Sequence, residues 1–377
     1  MTSRERVTKA LQREEIDRIP LDLGCGGPNS AIDKLYSHFG TADGEKLRKV
    51  MNIDIRHVGP QYVGPSGKNF IGWDTDTDTL FGGTEYMNVD YEGSGGIAGT
   101  YADELGHRPF RDFATVDQIE EYSWPSTEWF DFSSLPEKCE RQREYALVLG
   151  GWSPIVSRVL ELFGMEKGLM YFYDRPDLIH KTIEKVSDFY YDYYDAALTA
   201  ADGGIQVIGY GDDFATQRDL LLGPEMWRDF CREPLARLFS LGKKHGVFVY
   251  FHSCGAVSSI LDDLVEIGLD VLYPVQPNAL GMDHRELKER HGDKLSFWGG
   301  IDVQHVLPFG TEEEVRRHVR ERIETLGAGG GYILASSHNL LKAFPLANIL
   351  AMYDEAMKTP VSVVPGLSGP PTGKETR

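Results

Sequence analysis

Eight short apolar runs punctuate the chain at residues 18–23, 54–59, 145–150, 205–209, 247–252, 269–273, 295–298 and 332–335. They are rich in β-branched and aromatic residues and end in Gly, Asp or His. Most are followed by a longer stretch with apolar residues at helical spacing. Short apolar runs bounded by Gly and Pro are the pattern of buried parallel strands. The helical stretches are clearest in the second half. Residues 177–201 carry Phe189, Tyr190, Tyr193 and Tyr194, Pro224 opens the next helix, and Gly246 follows that helix's end. Residues 312–326 place acidic side chains first and arginines later, in keeping with the helix dipole. Pro345 opens a last helix that runs through Met357. Eight strand–helix units predict an α/β fold, a (β/α)8 TIM barrel; an open doubly wound sheet is the alternative, but no Gly-rich nucleotide fingerprint follows an early strand.

One region breaks the alternation. Residues 62–138 are rich in Gly, Asp, Thr and aromatics, and are expected to form an antiparallel insertion or lid between the second and third strands. The barrel then occupies residues 1–359 as a single domain. Residues 360–377, which include Pro365-Gly-Leu-Ser-Gly-Pro-Pro, are expected to be a disordered tail.

Composition narrows the function. With 41% hydrophobic residues in 377, the chain has ample material for a large core. No run approaches the length of a membrane span, and the charged start Met1-Thr-Ser-Arg-Glu-Arg lacks the apolar segment of a signal peptide. Four cysteines (Cys25, Cys139, Cys231 and Cys254) form no CxxC pair, so a reducing cytoplasm is expected. A net charge of −19 argues against nucleic acid as a partner.

The candidate chemistry lies where strands end, the catalytic side of a barrel. His252-Ser-Cys254 follows the fifth run and offers an imidazole and a thiolate, which suit zinc. A buried thiol beside a satisfied histidine would look the same. His338 follows the eighth run and is the candidate third ligand, leaving an open coordination position. Asp212 and Asp213 follow the fourth run and could serve as ligand or base, or cap a turn or helix. Asp22, Gln276 and Asp302, at other strand ends, are candidates for substrate binding. Trp73, Tyr210 and Trp298 could line the pocket, although most barrel aromatics are core.

Several segments resemble the uroporphyrinogen decarboxylase superfamily. They are Thr2-Ser-Arg-Glu-Arg-Val-Thr-Lys-Ala-Leu, Asp17-Arg-Ile-Pro-Leu-Asp, Gly211-Asp-Asp, His252-Ser-Cys-Gly, the stretch from Lys288 to Asp302, and Pro345 to Ala356 around Asn348. The resemblance implies a (β/α)8 barrel. Decarboxylases of the superfamily carry a Met-Arg-Gln-Ala-Gly-Arg segment after the first strand to hold porphyrinogen carboxylates. Here that place reads Asp22-Leu-Gly-Cys-Gly-Gly-Pro-Asn, with no arginine. The chain is more similar to the corrinoid-dependent methyltransferases, in which zinc is held by such a His and Cys and a second, C-terminal Cys. Counted back from Asn348, that position holds His338. Trading a thiolate for an imidazole leaves the zinc more positive and favours an ether oxygen over a thiol.

The resemblance therefore implies an O-demethylase. It would take a methyl group from a small-molecule donor, an aryl methyl ether, and pass it to Co(I) of a separate corrinoid (cobalamin) protein; a homodimer would be in keeping with the superfamily. The alternatives are methyl transfer involving a thiol or a methylamine-type compound, and a non-catalytic ligand-binding barrel.

Overall fold

The computed structural model describes residues 1–24, 30–64 and 109–361. Most of the expected insertion, Trp73, Cys25 and nearly all of the expected tail lie outside these residues. The strands are β1 (Ile55–Val58), β2 (Gln61–Tyr62), β3 (Phe130–Asp131), β4 (Ala146–Gly150), β5 (Val207–Gly211), β6 (Phe248–His252), β7 (Val271–Val275), β8 (Ser296–Ile301) and β9 (Tyr332–Ser336). Helices separate most of the parallel strands, and the fold is α/β. The chain forms two compact units. One comprises Met1–Arg56, Gln142–Leu147 and Asp270–Arg377; the other comprises His57–Arg141 and Val148–Leu269.

In the first unit β7, β8 and β9 run parallel, with Phe297 beside Tyr332 and Ile301 beside Ser336. The helix Glu312–Leu326 buries Val315, Val319, Ile323 and Leu326, the i, i+4, i+8, i+11 stripe expected of a helix lying on a sheet. Its start is fixed by a capping box between Thr311 and Glu314. The run at 18–23 forms an isolated parallel bridge, Leu21 to Leu334, rather than a strand. Pro20 has no N–H, and the Leu21 N–H is diverted to the buried Asp54 carboxylate at 2.8 Å. The ladder is reduced to Asp22 N–H donating to the Leu334 carbonyl and Leu334 N–H to the Pro20 carbonyl.

In the second unit β4 pairs with β5 and β5 with β6, all parallel, and Gly211 stands beside His252. The helix Pro176–Ala201 buries Phe189, Tyr190, Tyr193 and Tyr194. Pro224 begins the helix Pro224–Phe230, and Gly246 closes a second helix, Arg232–His245, with φ +67°, so the single helix expected between them is two, parted at Cys231. At the edges of the 62–138 region Tyr62 pairs antiparallel with Phe130, and the pairing extends to Gln61, just before the region, with Asp131.

Strands β5 and β8 run past glycines expected to end them. At Gly209 a Cβ would sit 2.2 Å from the Tyr250 ring, so glycine there admits a neighbouring aromatic rather than stopping the strand. Strand β7 continues across Pro274, where the ladder shifts between Leu272 and Val275. No helix among the described residues is long and apolar enough to cross a membrane.

Candidate metal centre

The two loops leaving β5 and β6 are laced together. Asp212 N–H donates to the His252 carbonyl (2.9 Å), Ala256 N–H to the Thr216 carbonyl (2.9 Å), and Phe214 N–H to Ser253 Oγ (3.3 Å). Gly255 makes this approach feasible. Its φ is +89°, and a Cβ would lie 2.5 Å from the Thr216 carbonyl oxygen.

This lacing brings three potential ligands together. Cys254 Sγ lies 3.6 Å from His252 Nε2, and Asp213 Oδ1 lies 3.9 Å from the same nitrogen. Cys254 N–H donates to Asp213 Oδ1 at 3.0 Å, which fixes the carboxylate beside the thiol. One donor atom from each residue lies within 4.8 Å of the others. Two ligands on tetrahedral zinc are separated by about 3.6 Å for sulfur and nitrogen, and about 3.4 Å for nitrogen and oxygen. The sulfur–nitrogen pair matches, and the carboxylate needs a shift of roughly half an ångström. The donors are also chemically suitable. Burial pushes the His252 imidazole down to about 4, so it is neutral and has a lone pair available at neutral pH. Cys254 is half-buried, a position from which a ligand can be reached. The residues therefore fit a zinc ion.

Asp212 has different partners from its neighbour. Its carboxylate accepts from the backbone N–H groups of Ile155 (2.8 Å), Val156 (2.6 Å) and Ser157 (3.0 Å), and from Ser157 Oγ (2.6 Å). It thus anchors the start of the helix Val156–Phe163. Burial pushes it up to about 6 against these hydrogen bonds. Tyr210 is fully buried, donates to the Leu238 carbonyl at 2.7 Å, and packs against Tyr194 and Phe239.

Trp152 escaped the sequence reading. It is 40% exposed, follows β4, and meets the His252 ring edge-on with centroids 5.7 Å apart. No motif marks it. The signal that could have found it is Gly150-Gly151, both at positive φ, which turns the chain just before an aromatic at a strand's C-terminal end.

The remaining candidates lie in the first unit. Trp298 Nε1 donates to Asp22 Oδ2 at 3.1 Å, and both are buried. Burial pushes Asp22 up to about 6. Asp302 Oδ1 accepts from the N–H groups of Gln304 and His305. Burial would raise it, but a hydrogen bond from Asn278 and these two backbone donors outweigh that effect and hold it below the ordinary value. Gln276 is buried just past β7, and its carbonyl accepts from Ala279 N–H. His338 is half-buried just past β9, its carbonyl accepting from Ser336 Oγ at 2.6 Å.

The comparisons with known proteins agree with this architecture. Residues 153–359, more than half of the chain, match the family model described as uroporphyrinogen decarboxylase (URO-D). A uroporphyrinogen decarboxylase of Magnetococcus marinus is 25% identical over 185 residues, covering 47% of each chain. A methylcobamide:CoM methyltransferase of Methanosarcina barkeri is 24% identical over 205 residues, covering 54% of this chain and 56% of the relative. The chain thus spans about half the length of the curated relatives it matches. A methyltransferase from Methanosarcina mazei shares the fold, with a TM-score of 0.64 at 17% identity over 95% of this chain and 99% of that one. The chain belongs to the uroporphyrinogen decarboxylase (URO-D) family.

Proposed function

We propose that this protein is a zinc-dependent methyltransferase that demethylates an aryl methyl ether and passes the methyl group to Co(I) of a corrinoid protein. The observation that carries the reading is the meeting of His252, Cys254 and Asp213 at the ends of two neighbouring strands. The (β/α)8 barrel is the fold this reading takes, and the parallel pairings within each unit support it.

Bound zinc would supply Lewis acidity at the ether oxygen, whose departure as phenolate is otherwise slow. His252 is kept neutral by burial and offers nitrogen without first losing a proton. Cys254 contributes the sulfur donor, and Asp213, held by the Cys254 N–H, contributes oxygen and negative charge. The sequence adds His338 as a further ligand, which the zinc content of His338→Ala tests separately. Asp213 brings back the negative charge of a second thiolate, so the preference for an oxygen leaving group over sulfur rests on the harder oxygen and nitrogen donors beside a single thiolate. The absence of arginine from 22–29 leaves a porphyrinogen's carboxylates without that segment's counter-charge.

Purified enzyme is expected to hold one zinc per chain and to methylate free Co(I) corrinoid with guaiacol-type ethers. A second reading, methyl transfer to a thiol, is favoured by the relative named a methylcobamide:CoM methyltransferase. Methylcobalamin demethylated by thiols, with no turnover of ethers, would decide for it. Cytoplasmic location and homodimer formation belong to the same proposal and are read from fractionation and solution mass.

A further inference from the structure

We infer that Trp152 is the wall on which the methyl donor's aromatic ring stacks, and that Asp212 is the positioning residue that aims it. The inference rests on the metal-centre reading above and specifies the substrate class for that site. Trp152 lies beside a proposed ligand: its ring meets the His252 ring edge-on with 5.7 Å between centroids and an interplanar angle of 79°. Tryptophan is among the largest apolar side chains, yet this one is 40% exposed beside a buried histidine. An indole in that position offers an aromatic face to a ligand arriving at the metal.

The loop that carries it is held at both ends. Before Trp152, Gly150 and Gly151 adopt φ of +80° and +141°, and Gly151 N–H donates to the Gly209 carbonyl at 2.9 Å. After it, Ser153 N–H donates to the Gly211 carbonyl at 3.2 Å, and the Asp212 carboxylate collects Ile155, Val156 and Ser157. Gly211 keeps the space: a Cβ there would fall 3.0 Å from Trp152 Cε3 and 2.4 Å from the Gly151 carbonyl oxygen. Asp212 therefore links the loop leaving β5, which carries Asp213, to the loop that carries Trp152. Adjacent aspartates divide the work, one beside the metal ligands and one bracing the wall. Holding a donor's ring at a fixed place lowers the entropy cost of bringing its methyl carbon into line.

The same wall could attract a quaternary methylammonium by cation–π contact. Such a nitrogen has no lone pair for a metal and carries a charge of the metal's own sign. An aryl ether meets both features, presenting oxygen to the metal and a ring to the indole.

The test uses zinc-loaded protein and calorimetric binding of guaiacol, methoxycyclohexane and tetramethylammonium, with zinc content measured in parallel. Wild type should bind guaiacol at least tenfold more tightly than methoxycyclohexane. Trp152→Ala should lose about that factor of ten, equal to about 1.4 kcal/mol, while keeping one zinc per chain. Trp152→Phe should restore most of the preference. Guaiacol should quench wild-type fluorescence more than that of Trp152→Phe. Asp212→Asn should weaken guaiacol binding at unchanged zinc content, with methoxycyclohexane affinity unmoved. Guaiacol affinity unchanged in Trp152→Ala overturns the inference while leaving the metal reading intact. Tighter binding of tetramethylammonium than of guaiacol overturns the aromatic donor class. Protein without zinc overturns the metal reading, whereas the fluorescence comparison still decides whether the ring meets Trp152.

Discussion

The ends of β5 and β6 and the ends of β8 and β9 carry similar residues to different effect. In the first region Asp213, His252 and Cys254 turn toward one another, with donor atoms within 4.8 Å. In the second, Asp302 turns into its own loop to hold Gln304 and His305, and His338 gives its carbonyl to Ser336 Oγ. Both regions put polar side chains after buried strands, and only the partners distinguish a candidate metal site from loop scaffolding. Neighbours in sequence can differ in the same way. Asp212 braces a helix start through four hydrogen bonds, while Asp213 joins the cluster.

The largest effect that would break this comparison is removal of a ligand. Cys254→Ala or His252→Ala should reduce zinc from one per chain to near none, and methyl transfer by roughly a thousandfold, given the several kcal/mol of charge stabilisation a metal supplies. Plasma emission and a corrinoid methylation assay measure the two. Normal zinc content in both variants would place the metal elsewhere.

Next comes the contrast between the two aspartates. Asp212→Ala strands three backbone N–H groups and should cost about 3 kcal/mol in denaturant unfolding. Asp213→Asn should cost under about 1 kcal/mol of stability and instead weaken zinc by roughly 10- to 100-fold. Equal effects of both on stability would remove the distinction.

The pH dependence of the metal-free protein gives a third test. Burial lowers His252 to about 4 in the folded chain, against 6.5 when unfolded. Between these values the unfolded chain binds more protons, so acidification favours unfolding. The stability lost from pH 6.5 to 4 by this residue is about 3 kcal/mol. Buried His284 and half-buried His318 act in the same direction. His252→Gln should flatten the profile by its share, and an unchanged profile would argue against a neutral buried imidazole.

The smallest effect concerns core against site. Tyr210→Phe deletes the hydrogen bond to the Leu238 carbonyl and should cost about 1 kcal/mol in thermal unfolding, with no change in donor affinity. A change in KM without loss of stability would return Tyr210 to the substrate pocket.

The sequence made seven of the parallel strands legible to within a few residues, because buried strands are written as continuous apolar runs. It misjudged where they stop. Gly209 and Gly299-Gly300 look like terminators, but Gly209 admits a Tyr250 ring and β8 continues through its glycines to Ile301. It also overextended the 18–23 run, because diversion of the Leu21 N–H to Asp54 depends on a residue thirty-three positions away. The His-x-Cys pair was legible from its place after a strand. The choice between Asp212 and Asp213 was not, since it turns on which backbone donors reach each carboxylate. Trp152 was hidden for a similar reason: one aromatic after two glycines acquires meaning only when His252 lies beside it.

The central claim is that one sulfur, one imidazole nitrogen and one carboxylate oxygen share a cation. Zinc-edge X-ray absorption of the purified enzyme tests it most directly. The account predicts a single sulfur scatterer at about 2.3 Å with nitrogen and oxygen at about 2.0–2.1 Å, the sulfur shell vanishing in Cys254→Ala. A spectrum of oxygen and nitrogen alone in the wild-type enzyme would contradict it.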